Sequence, residues 1–323
     1  MPPRPKAARW RAWAWQLLLL ALLGLLLGGL VHNTRAHLTE RGIPSGWDFL
    51  LQTAGFDISE HLIDFDPADT LARALLVGLL NTLRVALPGL LLCTLCGGLL
   101  GIGRFSLHPL LRGLCRAWVE LFRNVPLLVQ LLLWYLLLVE GLPEQPRAGP
   151  LGLALGKTGV ALPWPGADGH WLPQLDGFAI EGGLLLSPEY LALLLGLVCY
   201  TAAYVAEVVR AGIAAVPRGQ IEAAESLGLR RPQVLRWITL PLALRVIVPP
   251  LANQYLNLIK NSSLAVAVGY PDLVSVAGTT LNQSGRAIEC ITILMLLYLL
   301  LSLLTAALMH LLNQRVALRG LHG

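Results

Sequence analysis

The sequence predicts an all-α protein that crosses a membrane several times, and three observations support this. Apolar residues fill 55% of its 323 positions and charged residues only 13%, with a mean hydropathy of +0.65. Soluble domains carry about 25% charged residues. Uncharged stretches long enough to cross a bilayer recur along the chain. The Lys and Arg residues gather in alternate connections between those stretches. The net charge of +5 therefore reports orientation in a membrane, and no nucleic-acid partner is expected.

Residues 1–11 form a basic N-terminus with Arg4, Lys6, Arg9 and Arg11. Residues 12–34 are an uncharged, leucine-rich run, and Trp10, Trp13 and Trp15 stand where an interfacial aromatic belt belongs. The run is too long for the core of a cleavable signal peptide, and no small-x-small cleavage site closely follows it. A retained transmembrane anchor is expected. Residues 35–70 form an outer segment whose acids include Asp57, Glu60, Asp64 and Asp66.

A second span lies between Arg84 and Arg104, entered by a helical lead-in from about Leu71. Arg123 and Glu140 bracket a third, opened by Phe122-Arg-Asn-Val-Pro126, with Arg123 anchored at the surface. The Pro- and Gly-rich stretch 141–186, with Trp164 and Trp171, reads either as a short re-entrant segment or as a surface segment. Glu189 and Glu207 bracket a fourth span, and residues 290–314 form the last. The interval 246–259 differs, because it is short and contains Pro249-Pro250, Asn253, Gln254 and Asn257. It is expected to be a broken, partly polar helix, which is tolerated at membrane depth only where protein or water surrounds it.

With an inside N-terminus, residues 1–11, 104–123, 210–245 and 313–323 fall in the cytoplasm and hold 16 of the 24 Lys and Arg residues. The outer loops 35–70 and 140–186 hold two each and most of the acids. Both termini are expected to be cytoplasmic. The five cysteines lie in or near apolar segments, so the Cys93-x-x-Cys96 pair reads as buried, inert thiols and no disulfide framework is expected.

The cytoplasmic stretch 217–241 has its own logic. Pro217 can open a short helix with Glu222 near its positive end, and Gly228 permits a sharp bend. Pro232 can open a second short helix, which Pro241 is expected to end. Two short helices folded around a glycine can fill a groove in a partner protein; the alternative is an ordinary amphipathic surface loop.

Other patterns point to solute passage. Tyr200, Tyr204 and Glu207 share one helical face, with Glu207 either paired to Arg210 or lining a path. Asn253, Asn257 and Lys260 repeat in the same way and read either as the wall of a hydrated cavity or as hydrogen-bonding groups between subunits. Gly152 to Thr158 imitates a phosphate-binding loop, but Leu151 occupies the required first glycine and no strand precedes it. The chain is therefore expected to bind no cofactor and to borrow an ATP-hydrolysing motor. The seven histidines show no metal-ligand spacing, so no catalytic residue and no metal site is expected.

The gapped pattern Glu222-Ala223-Ala224, Gly228, Ile238, Leu240, Pro241 resembles the EAA coupling loop of permease subunits of bacterial ABC importers. Four further pieces resemble the polar amino-acid permeases among them. They are Gly78-Leu-Leu-Asn-Thr82-Leu83, Phe122 to Gln130, Ala203 to Ile213, and Lys260-Asn-Ser-Ser263-Leu264. Pro217-Arg-Gly219-Gln220 runs into the loop. The N-terminal anchor, with Arg41-Gly-Ile and Ala54 to Ile58, resembles the general L-amino-acid permease branch, for which the loop 141–186 is short.

The resemblance implies a type I ABC importer transmembrane domain with about six spans: a five-span core over 71–318, plus the anchor, and a cytoplasmic tail at 319–323. It implies residence in the bacterial inner membrane and import of polar L-amino acids by alternating access. The partners it implies are a cytoplasmic ATPase dimer using ATP and Mg, a second permease subunit in a homo- or heterodimer, and a periplasmic amino-acid-binding protein. An ABC permease for another small polar solute is the nearest alternative. An ion-coupled secondary transporter would also have a broken helix, but gives no reason for the cytoplasmic bend. A membrane enzyme would need a catalytic constellation that the sequence lacks.

Overall fold

The computed structural model describes residues 6–40, 42, 45–164, 172–177 and 179–318. Arg4, Arg41, Asp168, Trp171 and the tail 319–323 lie outside the described residues. Among the described residues, five helices are long and apolar enough to cross a membrane, or six when one bent pair is counted as a single span.

Helix α1 (Lys6–Glu40) covers the run read as an anchor and holds a candidate span at Trp15–Thr34. Its described leucines are exposed, as suits a helix solvated by lipid tails. Helix α2 (Leu71–Gly103) begins at the expected lead-in, where the Thr70 hydroxyl accepts the Arg73 N–H and caps the helix. Helix α3 (Pro109–Asn124) and helix α4 (Leu127–Gly141) meet at a 107° bend. Helices α5 (Pro188–Ala214), α6 (Arg218–Ser226), α7 (Arg231–Val234), α8 (Leu240–Asn261), α9 (Leu273–Ser284) and α10 (Ala287–Leu318) complete the chain.

Helices α2 and α5 form the backbone of the bundle. Ideal Cβ atoms at Gly97 and Gly101 of α2 would stand 2.6 Å from Val205 Cβ and 2.8 Å from the Ala206 carbonyl oxygen. Only glycine lets the two backbones come this close. Packing of small residues is how helices associate in lipid, where burying apolar surface gives no extra drive.

The bend between α3 and α4 is held by Gln130, which is 3% exposed. Its Nε2 donates to the Phe122 carbonyl at 2.9 Å and to the Val125 carbonyl at 2.8 Å, satisfying groups that the end of α3 leaves free. Gln130→Leu should cost about 1–3 kcal/mol, because two carbonyls lose their donor. Thermal unfolding of the detergent-solubilised protein checks this, and an unchanged midpoint would show that the amide does not hold the bend.

Residues 45–70 form a strap across one end of the bundle. Phe49, Ala54, Ile58 and Phe65 are buried against Leu71 and Leu75 of α2, Leu273, Val276 and Ala277 of α9, and Cys290 of α10. Thr53 bridges to Thr70, the Gly46 N–H donates to Glu289 at 2.7 Å, and Arg286 approaches Asp48 at 3.4 Å. Glu60 accepts from Arg84 at 2.9 Å and from the Ser187 hydroxyl. Burial pushes its carboxyl above the usual range, against the pull of Ser187 and Arg84.

Four features depart from the sequence reading, the first being Cys96, which is exposed on α2 while Cys93, three residues before it, is buried. The stretch 141–186 carries small antiparallel sheets within an otherwise helical fold. Strands β1 (Arg147–Ala148), β2 (Ala154–Gly156), β3 (Gly159–Leu162) and β6 (Leu184–Leu186) pair in the order β1-β2-β3-β6, and β4 (Gln174–Asp176) pairs with β5 (Ala179–Glu181). The Gly156-Lys157-Thr158 imitation of a phosphate loop is the turn of the β2–β3 hairpin, with no helix after it to receive a phosphate.

The expected break at Pro249-Pro250 is absent, and α8 runs through it. Both prolines lie on the exposed side of the helix. The irregularity comes later, in a 3₁₀ segment at Ser262–Val268 that ends at Gly269 with φ +79°. Pro241 opens α8 instead of ending a helix. A π turn at Leu235–Thr239 precedes it, with the Leu240 N–H reaching back to the Leu235 carbonyl. That wider turn accommodates a proline where an α-helical turn would clash.

Candidate functional site

The stretch 217–241 folds around Gly228. Helix α6 ends as the Leu227 N–H bonds the Ala223 carbonyl, the Gly228 N–H donates to Glu225 O at 2.9 Å and the Leu229 N–H to Ala224 O at 3.2 Å. Gly228 takes φ +81°, in the left-handed region that a side chain resists. The chain then turns into α7, where the Gln233 side chain accepts the Arg230 N–H at 2.8 Å and caps the helix. Pro232 lies in its first turn, as expected.

Between α6 and the start of α8 lies an open groove of about 640 Å³. Among the expected residues it brings together Ala223, Ala224, Ile238 and Pro241. Ala224 is buried and fixes how closely α6 approaches its neighbours. Glu222 and Leu240 are exposed beside the groove and do not line it. The sequence reading missed Leu227, Trp237 and Arg245, which also line it. Leu227 is 83% exposed at the tip of the bend and Trp237 is 57% exposed. An apolar residue beside a turn glycine was the available signal, since exposed leucine and tryptophan around a concavity mark contact surfaces.

The tyrosine–glutamate face of α5 lies toward the same end of the bundle. The Tyr200 and Tyr204 rings stand 4.9 Å apart, and the Tyr200 hydroxyl donates to that of Tyr204 at 3.3 Å. Arg123 of α3 sits 5.3 Å above the Tyr204 ring. Glu207 pairs with Arg210, as one reading of the sequence expected, and also with Arg104 at 2.5 Å and Arg123 at 3.9 Å. The latter two join α2 and α3 to α5, and no local spacing could reveal them. One carboxylate thus ties three helix segments together.

Asn253, Asn257 and Lys260 lie on one exposed face of α8. Leu258 and Ile259, with Ile247 and Val248, fill the opposite, buried face. The structure therefore does not bring the polar stripe of α8 and the tyrosine–glutamate face together within this chain. The stripe looks outward, and Lys260 borders a second groove of about 340 Å³ with Ser263, Val274 and Tyr298.

Comparison with known proteins places this architecture. Residues 93–318 match the family described as the binding-protein-dependent transport system inner membrane component. The chain is 41% identical to the putative amino-acid ABC transporter permease protein YhdX of Escherichia coli, covering 95% of this chain and 94% of that protein. It is 39% identical to the general L-amino acid transport system permease protein AapQ of Rhizobium johnstonii, covering 96% and 93%. The YhdX alignment runs over 371 positions against a chain of 323 residues, so that relative carries residues this chain lacks. Among solved structures, the crystal structure of an amino acid ABC transporter with histidines superposes with a TM-score of 0.57 at 26% identity, covering 76% of this chain and 94% of that one.

Proposed function

This chain belongs to the binding-protein-dependent transport system inner membrane components, as an amino-acid ABC importer permease subunit of the type I fold, and from that premise we propose that it carries polar L-amino acids inward by alternating access. The observation that supports this most directly is the bent loop at Gly228, whose open groove is bordered by exposed Leu227 and Trp237. Its apolar tip is a docking element for a separate cytoplasmic ATPase. ATP binding closes that ATPase and displaces α6 and α7. The close-packed α2 and α5 transmit the shift, and hydrolysis resets it.

The outward-facing stripe of Asn253, Asn257 and Lys260 is completed by a second permease subunit, so that two such faces enclose the path. Asparagine and lysine suit a zwitterionic solute, offering donors to its carboxylate and acceptors to its ammonium group. A binding protein delivers the solute at the outer face, where the strap and the small sheets lie. The chain itself performs no hydrolysis.

Coexpression with an ABC ATPase, a second permease and an amino-acid-binding protein from the same organism tests this reading. The tagged chain should bring down the ATPase, and vesicles loaded with ATP and supplied with binding protein should accumulate labelled amino acid. Accumulation by the isolated chain in nucleotide-free vesicles would sink the proposal.

A further inference from the structure

Helix α3 has three distinct sides that the transport reading leaves unused. Cys115 and Val119 are buried against the bundle, with the Cys115 sulfur packed over Gly103. Leu110, Leu111, Leu114, Trp118 and Leu121 recur at helical spacing on a second side and are exposed. Arg112, Arg116, Glu120 and Arg123 share the side opposite that apolar one. Apart from the Trp118 ring, which lies 4.4 Å from that of Phe122 on the same helix, this apolar side stands open among the described residues. At the bend it runs into exposed Leu128, Leu132 and Leu133 of the spanning helix α4. The 107° turn fixed by Gln130 keeps α3 from continuing along that span. An amphipathic helix turned off the end of a span, with one apolar side open, has the form of a helix lying in the plane of a membrane interface.

Its charges are unbalanced. Arg123 is engaged with Glu207 and the Tyr204 ring. Arg112 and Arg116 are exposed and have no carboxylate at ion-pair distance among the described residues; Glu120, one turn further on, pairs with neither. Guanidinium groups held at lipid-headgroup level match phosphate in charge and geometry. Contacts of Arg104 and Arg123 with Glu207 put α3 at the same end of the bundle as the Gly228 loop. We propose that α3 is a lipid-binding helix that seats its leucine–tryptophan side in the inner leaflet while Arg112 and Arg116 hold the phosphates of anionic phospholipids. The choice of leaflet rests on the transport reading; the headgroup site does not.

The full chain is reconstituted in vesicles of equimolar phosphatidylcholine and phosphatidylglycerol, with either lipid carrying a spin label near the headgroup. Quenching of Trp118, assigned by the loss of signal in Trp118→Phe, reads which lipid surrounds α3. The wild type should favour phosphatidylglycerol, and Arg112→Gln with Arg116→Gln should lower that preference about 20–30-fold, about fivefold per arginine. The paired Arg→Lys variant should keep most of it. Equal quenching by both lipids, or a preference that survives the glutamine pair, overturns the headgroup site. So does a glutamine pair that keeps the preference but no longer brings down the ATPase, since those arginines would then read a protein. A Leu107→Cys variant labelled from outside whole cells overturns the inner-leaflet placement and the transport reading together, leaving the vesicle result to judge the headgroup site alone.

Discussion

Gly228→Pro should leave the chain inserted and monodisperse while abolishing amino-acid-stimulated ATP hydrolysis in the assembled transporter. Proline holds φ near −65°, whereas this position sits at +81°. It also lacks the N–H that Gly228 donates to Glu225. Either defect forces the loop to a new path, at about 3 kcal/mol or more. No heavy atom lies within 4 Å of a Cβ added at Gly228, so the damage is conformational and stays in the loop. Allosteric coupling is typically about 1–3 kcal/mol, so its loss lowers solute stimulation about 5–150-fold. Gly228→Ala, strained but able to keep the N–H, should fall between. Wild-type uptake by Gly228→Pro would show that the bend transmits nothing.

The second large effect is on folding. Gly97→Leu should remove most of the properly folded protein, while Gly98→Leu should be nearly silent. A Cβ at Gly97 meets Val205 at 2.6 Å and the Ala202 carbonyl at 2.8 Å, so the backbone of α5 must move. Overpacking costs about 1–3 kcal/mol where side chains can adjust, and more where main chain must yield. A Cβ at Gly98 meets nothing within 4 Å. Size-exclusion profiles and unfolding midpoints of the two detergent-solubilised variants check this. Equal behaviour would show that close approach of α2 and α5 does not hold the bundle.

The neighbouring glycines show where sequence reading stops. The start of α2 near Leu71, the start of α5, the core of α10 and the bend at Gly228 follow from uncharged length, caps and glycine, all local quantities, whereas α5 runs past Glu207 to Ala214. Gly97 and Gly101 have the spacing of a close-packing pair, but Gly98 beside them blurs which side is meant, and only the position of Val205 decides it. Arg104 reads as the end of a span and Arg123 as a surface anchor, because nothing within a few residues announces Glu207, which is distant in the chain. Pro241 illustrates an opposite failure. A rule that proline stops helices ignores the π turn just before it, which removes the clash. The strands of 141–186 are two to four residues long, too short for alternation to stand out among prolines and glycines.

The same distance along the chain has a consequence for biosynthesis. Phe49 and Phe65 leave the ribosome early, yet the surfaces that cover them, Leu273, Val276 and Cys290, arrive near the end. A translation product that stops short of Leu273 holds Phe49 and Phe65 against α2 alone, with the α9 and α10 side of the cluster open. Closure of that clasp therefore waits until the chain has been made as far as Cys290.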